Sequence, residues 1–285
     1  HQFPTQTEYH SDSYGYVNGQ GGSISSSEYT LISDWRRYGL PAPQVGMHWI
    51  YENGRYVQIP NDDNDYRLEI KGKSYRGGDK VDISAYPQGL SVEPFKSSSI
   101  VYKDSNGGYR ESLDGNIHLY KQAYSVVLGS YIRNLSDQNN PTWTKLVDKF
   151  AISSIQGEAT PSTALPNSGN YTYKGQAFNQ SETGALTYTV DFSRRRGQGS
   201  ITGLSEAGTI TLQNAPIAAI NEPGFKGMGI NSDAASAKLG AGKYGLGFFG
   251  PKANEIAGMV ELTRPGNPGS TTAAQDFEIG FGGKR

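Results

Sequence analysis

The chain reads as mainly β. It divides into an N-terminal β-rich domain, residues 1–160, and a C-terminal eight-stranded antiparallel β-barrel, residues 161–285. Three observations predict this. From Gly169 onward short apolar runs recur at close spacing, nearly enough for an up-and-down barrel. In Tyr244-Gly-Leu-Gly-Phe248 apolar residues alternate with glycines, leaving one face apolar and the other bare backbone. Such a strand is pressed closely against something or bent at a barrel corner. In the closing run Gln275–Arg285, Phe277, Ile279 and Phe281 keep a period of two, as in a strand that completes a sheet.

Composition sets the bounds. The chain has 285 residues, with Gly 37, Tyr 19 and a charged fraction of 19%. Its mean hydropathy of -0.58 suits a β-rich exported protein. Long apolar runs are absent, so no membrane span is expected. A net charge of -1 gives no reason to expect nucleic acid as a partner. Cysteine is absent, so the sheets must supply the stability that disulfides often give an exported protein. The sequence starts at His1 without an initiator Met or a lipid-bearing Cys. The expectation is a chain whose signal peptide has been removed, released without a lipid anchor.

Residues 1–30 are rich in Ser, Gly, Tyr and Gln and read as a flexible arm that holds His1 and His10. In Leu40-Pro-Ala-Pro43 the prolines force extended backbone. Met47–Tyr51 and Arg55–Ile59 flank Glu52-Asn-Gly54, a strong hairpin signal that puts His48 and Ile50 on one face and Trp49 and Tyr51 on the other. Tyr66–Lys71 and Val81–Ser84 alternate as strands. Asn116–Gly129 is the best strand of this half. Asn134–Thr142 reads as a polar loop, Trp143–Ile155 as one short helix, and Gly157–Ser168, with Pro161 and Pro166, as the domain boundary. In the barrel half, runs such as Tyr171–Ala177, Gly184–Phe192, Ala215–Ile220 and Gly227–Ile230 read as strands. Ser193-Arg-Arg-Arg-Gly197 reads as a solvated charged turn.

No nucleophile motif, zinc-protease motif or phosphate loop is present, and no catalysis is assigned. The informative residues are the four histidines. Without cysteine, a borderline transition metal must use imidazole nitrogen. At a free N-terminus the α-amine and ring of His1 can chelate one ion together. His10 can fold back to it, and His48 offers a fixed anchor on the hairpin. Such a site suits Co(II), Ni(II), Cu(II) or Zn(II), with Asp12 completing the shell. His118 supports a different picture: with His48 it could ligate haem iron, with Tyr120 and Tyr124 against the porphyrin. The competing reading of His118 is a strand residue packed between sheets.

Two resemblances add to this. Gly247-Phe-Phe-Gly-Pro-x-Ala-x-Glu-Ile-Ala-Gly258, with Phe281-Gly-Gly-Lys-Arg285, resembles the C-terminal β-barrel of Gram-negative surface and secreted nutrient binders. That group holds transferrin-binding protein B, factor H binding protein and the hemophilins, exported by Slam-type (type XI) translocators. Leu40-x-x-Pro43-x-x-Gly46-x-x-Trp49, followed by Tyr56-Val-x-Ile59, resembles the small domain of RcnB-type nickel and cobalt homeostasis proteins. The first resemblance implies a hemophilin-like protein secreted from a Gram-negative bacterium. Its N-terminal handle would hold cargo and its barrel would carry the export signal.

The expected function is a non-enzymatic metallophore. A monomer would capture a cobalt or nickel ion through His1, His10 and His48 and deliver it to a TonB-dependent outer-membrane receptor. The alternatives are a hemophore that binds haem through His48 and His118, and a host-protein binder with an aromatic patch around Tyr14, Tyr16, Trp35 and Tyr51.

Overall fold

In the computed structural model the described residues are 23–25, 40–44, 47–52, 55–60, 66–77, 79–104, 107–137, 140–222, 225–264, 269 and 275–285. Alternating apolar residues build strands throughout. The N-terminal part holds β1 (Ser23–Ser25), β2 (Met47–Glu52), β3 (Arg55–Pro60), β4 (Arg67–Ile70), β5 (Lys73–Arg76) and β6 (Lys80–Asp82). Four long strands follow: β7 (Gly89–Asp104), β8 (Gly107–Lys121), β9 (Ser125–Asp137) and β10 (Asn140–Gly157). With β4 and β5 they form a six-stranded antiparallel sheet in the order β10-β9-β8-β7-β4-β5. β2 and β3 pair as the expected hairpin, with His48 opposite Ile59. Trp49 is tied down by donating its ring N–H to the Pro41 carbonyl at 2.9 Å.

The C-terminal part holds β11 (Asn170–Phe178), β12 (Thr183–Asp191), β13 (Arg196–Thr202), β14 (Ile210–Pro216) and β15 (Ala218–Glu222). β16 (Phe225–Ser236), β17 (Gly240–Phe249), β18 (Glu255–Arg264) and β19 (Gln275–Lys284) complete it. β11 pairs with both β12 and β19, and β14 pairs with β16 at Ile210↔Ser236, so the sheet closes on itself. β15 also pairs with β16, further along at Ala218↔Gly229. β14 and β15 are thus two pieces of one stave, interrupted beside Pro216, which has no N–H to give a ladder. The result is a barrel of eight antiparallel staves.

Side-chain alternation explains how each stave is used. Tyr173, Tyr188, Tyr244, Leu246, Phe248 and Phe281 point inward, and each is at most 0% exposed. They fill the barrel, so it is a packed core and not a ligand cavity. The bare face of β17 is covered from outside: a Cβ added to Gly247 would lie 2.5 Å from the Phe225 ring.

The long sheet is buried on both faces where it meets the barrel. On β8, Ile117 and Leu119 face one core with Tyr66, Leu68, Phe95 and Leu128. Tyr120, from the opposite face of β8, joins Val127, Phe150, Ile155, Phe178, Phe249 and Met259 in a second core. That second core is the seam between sheet and barrel. Double burial produces the unbroken buried runs of β17, β18 and β19 near their barrel-seam ends. Buried Lys121 pins the segment that covers the first core, donating to the carbonyls of Ile83, Ser84 and Tyr86 at 3.0–3.2 Å.

Three expectations are corrected. The helix over Trp143–Ile155 is instead the central part of strand β10. Its apolar spacing, Val147, Phe150, Ile152 and Ile155, mimics a helical repeat. The ladder with β9 shows why: register shifts between Leu146 and Lys149 and between Ile152 and Ser154 insert extra residues into a period of two. The polar loop over Asn134–Thr142 is mostly strand, with β9 running to Asp137 and β10 starting at Asn140. The arm over residues 1–30 contributes a strand, since Ser23–Ser25 pairs with Lys80–Asp82. The run Ala215–Ile220 spans the interruption between β14 and β15, and Gly227–Ile230 is part of the longer β16.

Candidate functional site

The seam gathers the polar groups that the barrel half could not satisfy by itself. Glu255 opens β18 and is 3% exposed. Its carboxylate accepts the backbone N–H of Tyr124 at 3.0 and 3.1 Å and the Ser125 hydroxyl at 2.8 Å, both on the sheet side. Burial raises its pKa to about 7, against the pull of those donors and of Lys284. Gln122 reaches across to the Ile256 carbonyl at 3.0 Å. The link between the two parts is laced into the same corner. Thr160 donates its hydroxyl to the Gly250 carbonyl at 2.7 Å, and Ala159 bridges to Phe249. The Gly247–Gly258 stretch therefore builds the barrel's side of the seam.

His118 stands in the middle of β8 and is 3% exposed. Its ring stacks on Phe178 of the barrel at 6.4 Å and meets Phe150 edge-on at 5.4 Å. Nε2 lies 3.3 Å from the Gln180 carbonyl, and buried Nδ1 has no hydrogen-bond partner. Burial holds its pKa below the ordinary value of 6.5, opposed by the nearby carbonyls. A depressed imidazole pKa gives stability that is present above 6.5 and is lost as pH falls through the folded value. His118→Phe keeps the aromatic packing and removes the orphaned nitrogen. The variant is expected to match or exceed the parent in urea stability at neutral pH and to lose less on acidification below 6.5. A larger acid loss in the variant than in the parent would contradict this.

Beside the seam lies a cleft of about 460 Å³. Phe150, Phe277 and Ile279 contribute apolar surface, and Asp148, Glu206, Asp276 and Glu278 contribute carboxylates. Three of these acids are held by neutral donors. The Tyr131 hydroxyl donates to Asp148 at 2.6 Å, the Thr263 hydroxyl to Asp276 at 2.9 Å, and the Ile152 N–H to Glu278 at 3.2 Å. Lys149 is the basic residue among those lining it. Hydrogen bonds from neutral groups position carboxylates without cancelling their charge, so the cleft suits a cationic group carried on an apolar stem.

Of the residues expected at a site, His1 and His10 lie outside the described residues. His48 is placed by backbone in β2, and its side chain lies outside the described residues. His118 is in the seam, and Tyr120 and Tyr124 belong to the same packed cluster. Among the described residues no group of three His, Asp or Glu side chains could hold a metal ion. No helix among them is long and apolar enough to cross a membrane. Sequence reasoning missed Glu255 and Glu278 as seam groups. A signal was available for Glu255: it stands next to the unbroken apolar run Ile256–Val260.

Comparison with known proteins gives two family matches. Residues 163–260 match the model described as factor H binding protein, C-terminal, and residues 25–64 match the model described as nickel/cobalt transporter regulator. Among solved structures, a transferrin-binding protein B double mutant from Haemophilus parasuis Hp5 is 15% identical with a TM-score of 0.40, covering 84% of this chain and 50% of that one. The haemoglobin receptor HpuA from Kingella denitrificans is 15% identical with a TM-score of 0.33, covering 78% and 87%. Transferrin-binding protein B from serogroup B Neisseria meningitidis is 16% identical with a TM-score of 0.36, covering 84% and 49%. The chain spans about half the length of those two transferrin-binding proteins.

Proposed function

We propose that this chain is a non-enzymatic binding protein that works outside a Gram-negative cell, with the barrel as carrier and the N-terminal part as the holder of cargo. The observation that carries this reading is the filled barrel. With Tyr173, Tyr188, Tyr244 and Phe248 packed inside, cargo has to be held on the sheet, at the seam or by the N-terminal segment. The factor H binding protein match over residues 163–260 supports the barrel as a scaffold for binding. An outer-membrane translocator of the Slam type would read the barrel, and a TonB-dependent receptor would accept the cargo.

For the cargo, the nickel/cobalt transporter regulator match over residues 25–64 favours a cobalt or nickel ion, because that segment contains His48. His1 and His10 would supply the remaining nitrogen ligands. Haem ligation through His48 and His118 is disfavoured on packing grounds: an imidazole 3% exposed between Phe150 and Phe178 reaches an iron only if the seam opens. A second reading, capture of a protein partner, is favoured by the acidic, partly apolar cleft beside the seam. Titration calorimetry of the full chain with Co(II) and Ni(II) tests the first reading. Binding is expected, weakened about tenfold or more by His48→Ala and by His10→Ala. No binding of either ion, or affinity unchanged in both variants, rejects the metal site and leaves the protein-partner reading.

A further inference from the structure

We propose that one end of the barrel docks on a phosphate-bearing anionic membrane surface. The end in question carries the β12–β13 turn and the β17–β18 turn. The first turn presents Arg194, Arg195 and Arg196, all exposed. Arg195 is held at φ 56, a left-handed turn position. Arg194 lies 3.9 Å from Asp191, and Arg196 is steadied by a neutral partner, Asn214. The second turn presents exposed Lys252.

Packing joins these cations into one rim. Phe192, at the root of the arginine turn, meets Tyr171 edge-on at 5.5 Å. Tyr171 carries the Arg285 guanidinium over its ring at 4.4 Å. Arg285 in turn donates to the Lys252 carbonyl at 2.7 Å. On the outer wall beside them Lys174 and Lys284 are cross-strand partners, both exposed. Like charges placed directly opposite on a sheet are destabilising unless something anionic covers them. Seven basic residues thus outnumber the acids of this end, Asp191, Glu158, Glu222 and Glu255, the last lying across the ladder from Lys284, and no Asp or Glu occurs between Ala159 and Ser181.

Three features favour a bilayer over a compact anionic ligand. The cations come from separate chain segments and spread around a rim, where a single phosphate would need convergent donors. The half-buried Tyr171 lies among them, an aromatic with a polar tip of the kind that sits well at headgroup level. The opposite end of the barrel carries the acidic cleft, so the molecule's field turns the basic end toward an anionic plane. This inference is independent of what the cargo is.

Co-sedimentation of the full chain with vesicles tests it, using phosphatidylcholine alone and phosphatidylcholine mixed with phosphatidylglycerol. Binding is expected only to the phosphatidylglycerol vesicles, and it should weaken as salt is raised. Replacing Arg194, Arg195 and Arg196 together by Gln should lower the partition about a hundredfold, at the usual contribution per basic residue near such a surface. Lys238→Gln, an exposed lysine in the β16–β17 turn at the opposite end of the barrel, should change it little. The proposal is overturned if the parent ignores anionic vesicles, if the triple variant binds like the parent, or if Lys238→Gln weakens binding equally. Retention on a soluble polyanion without vesicle binding also overturns it, and points to an anionic macromolecular partner instead.

Discussion

Phe178→Ala is expected to cost the protein about 3–5 kcal/mol of stability. Phe178 stands on a barrel strand and is 0% exposed, yet its ring partners His118, Tyr120 and Phe150 all belong to the sheet, at 6.2–6.4 Å. The site cannot collapse to fill the gap. Glycines flank the ring on both sides: a Cβ on Gly280 would lie 2.6 Å from Phe178, and one on Gly129 3.3 Å from it. With no side chain able to move in, the cavity term stays at full size. Urea denaturation followed by circular dichroism measures the loss, and Phe178→Leu should recover most of it. A loss below about 1 kcal/mol would show that the seam contributes little to holding sheet and barrel together.

The second large effect is the pH dependence set by Glu255. Its pKa stands at about 7 against an ordinary 4.5 because burial disfavours the carboxylate. A raised carboxyl pKa means the folded state prefers the protonated form. The stabilisation is therefore complete below 4.5 and is lost as pH rises through about 7. A shift of this size corresponds to about 3 kcal/mol across that window. Glu255→Gln keeps the shape and an oxygen to accept the Tyr124 N–H, and removes the titration. The variant should show a flatter profile of urea midpoint between about pH 5 and 8 and gain on the parent at the alkaline side. His118 works in the opposite direction within the same seam, losing stability on the acid side. An unchanged slope in Glu255→Gln would sink the assignment.

Much of the barrel was legible in the sequence because closed antiparallel staves announce themselves by local alternation. Tyr244, Leu246 and Phe248, and Phe277, Ile279 and Phe281, carry inward residues at every second place, and their positions in β17 and β19 follow from that pattern alone. The bare glycine face of β17 likewise implied a close neighbour, which is Phe225. β10 was hidden for the opposite reason. Its bulges shift the period of two, and bulges are set by the partner strand β9, far from any local signal.

By itself, then, the sequence determined the class of fold, the closing strand and the absence of cysteine, since each of these rests on residue type and short-range spacing. Tertiary structure decided the seam. Whether Glu255 is a solvated acid or a buried clamp depends on Tyr124 and Ser125, some 130 residues away. Whether His118 is a ligand or a packed ring depends on Phe178 arriving from the barrel. The basic rim too exists only because Tyr171 joins Arg285 to the arginine turn across the barrel end. Burial and charge environment are properties of what the fold brings alongside a residue, and no window of neighbouring sequence contains them.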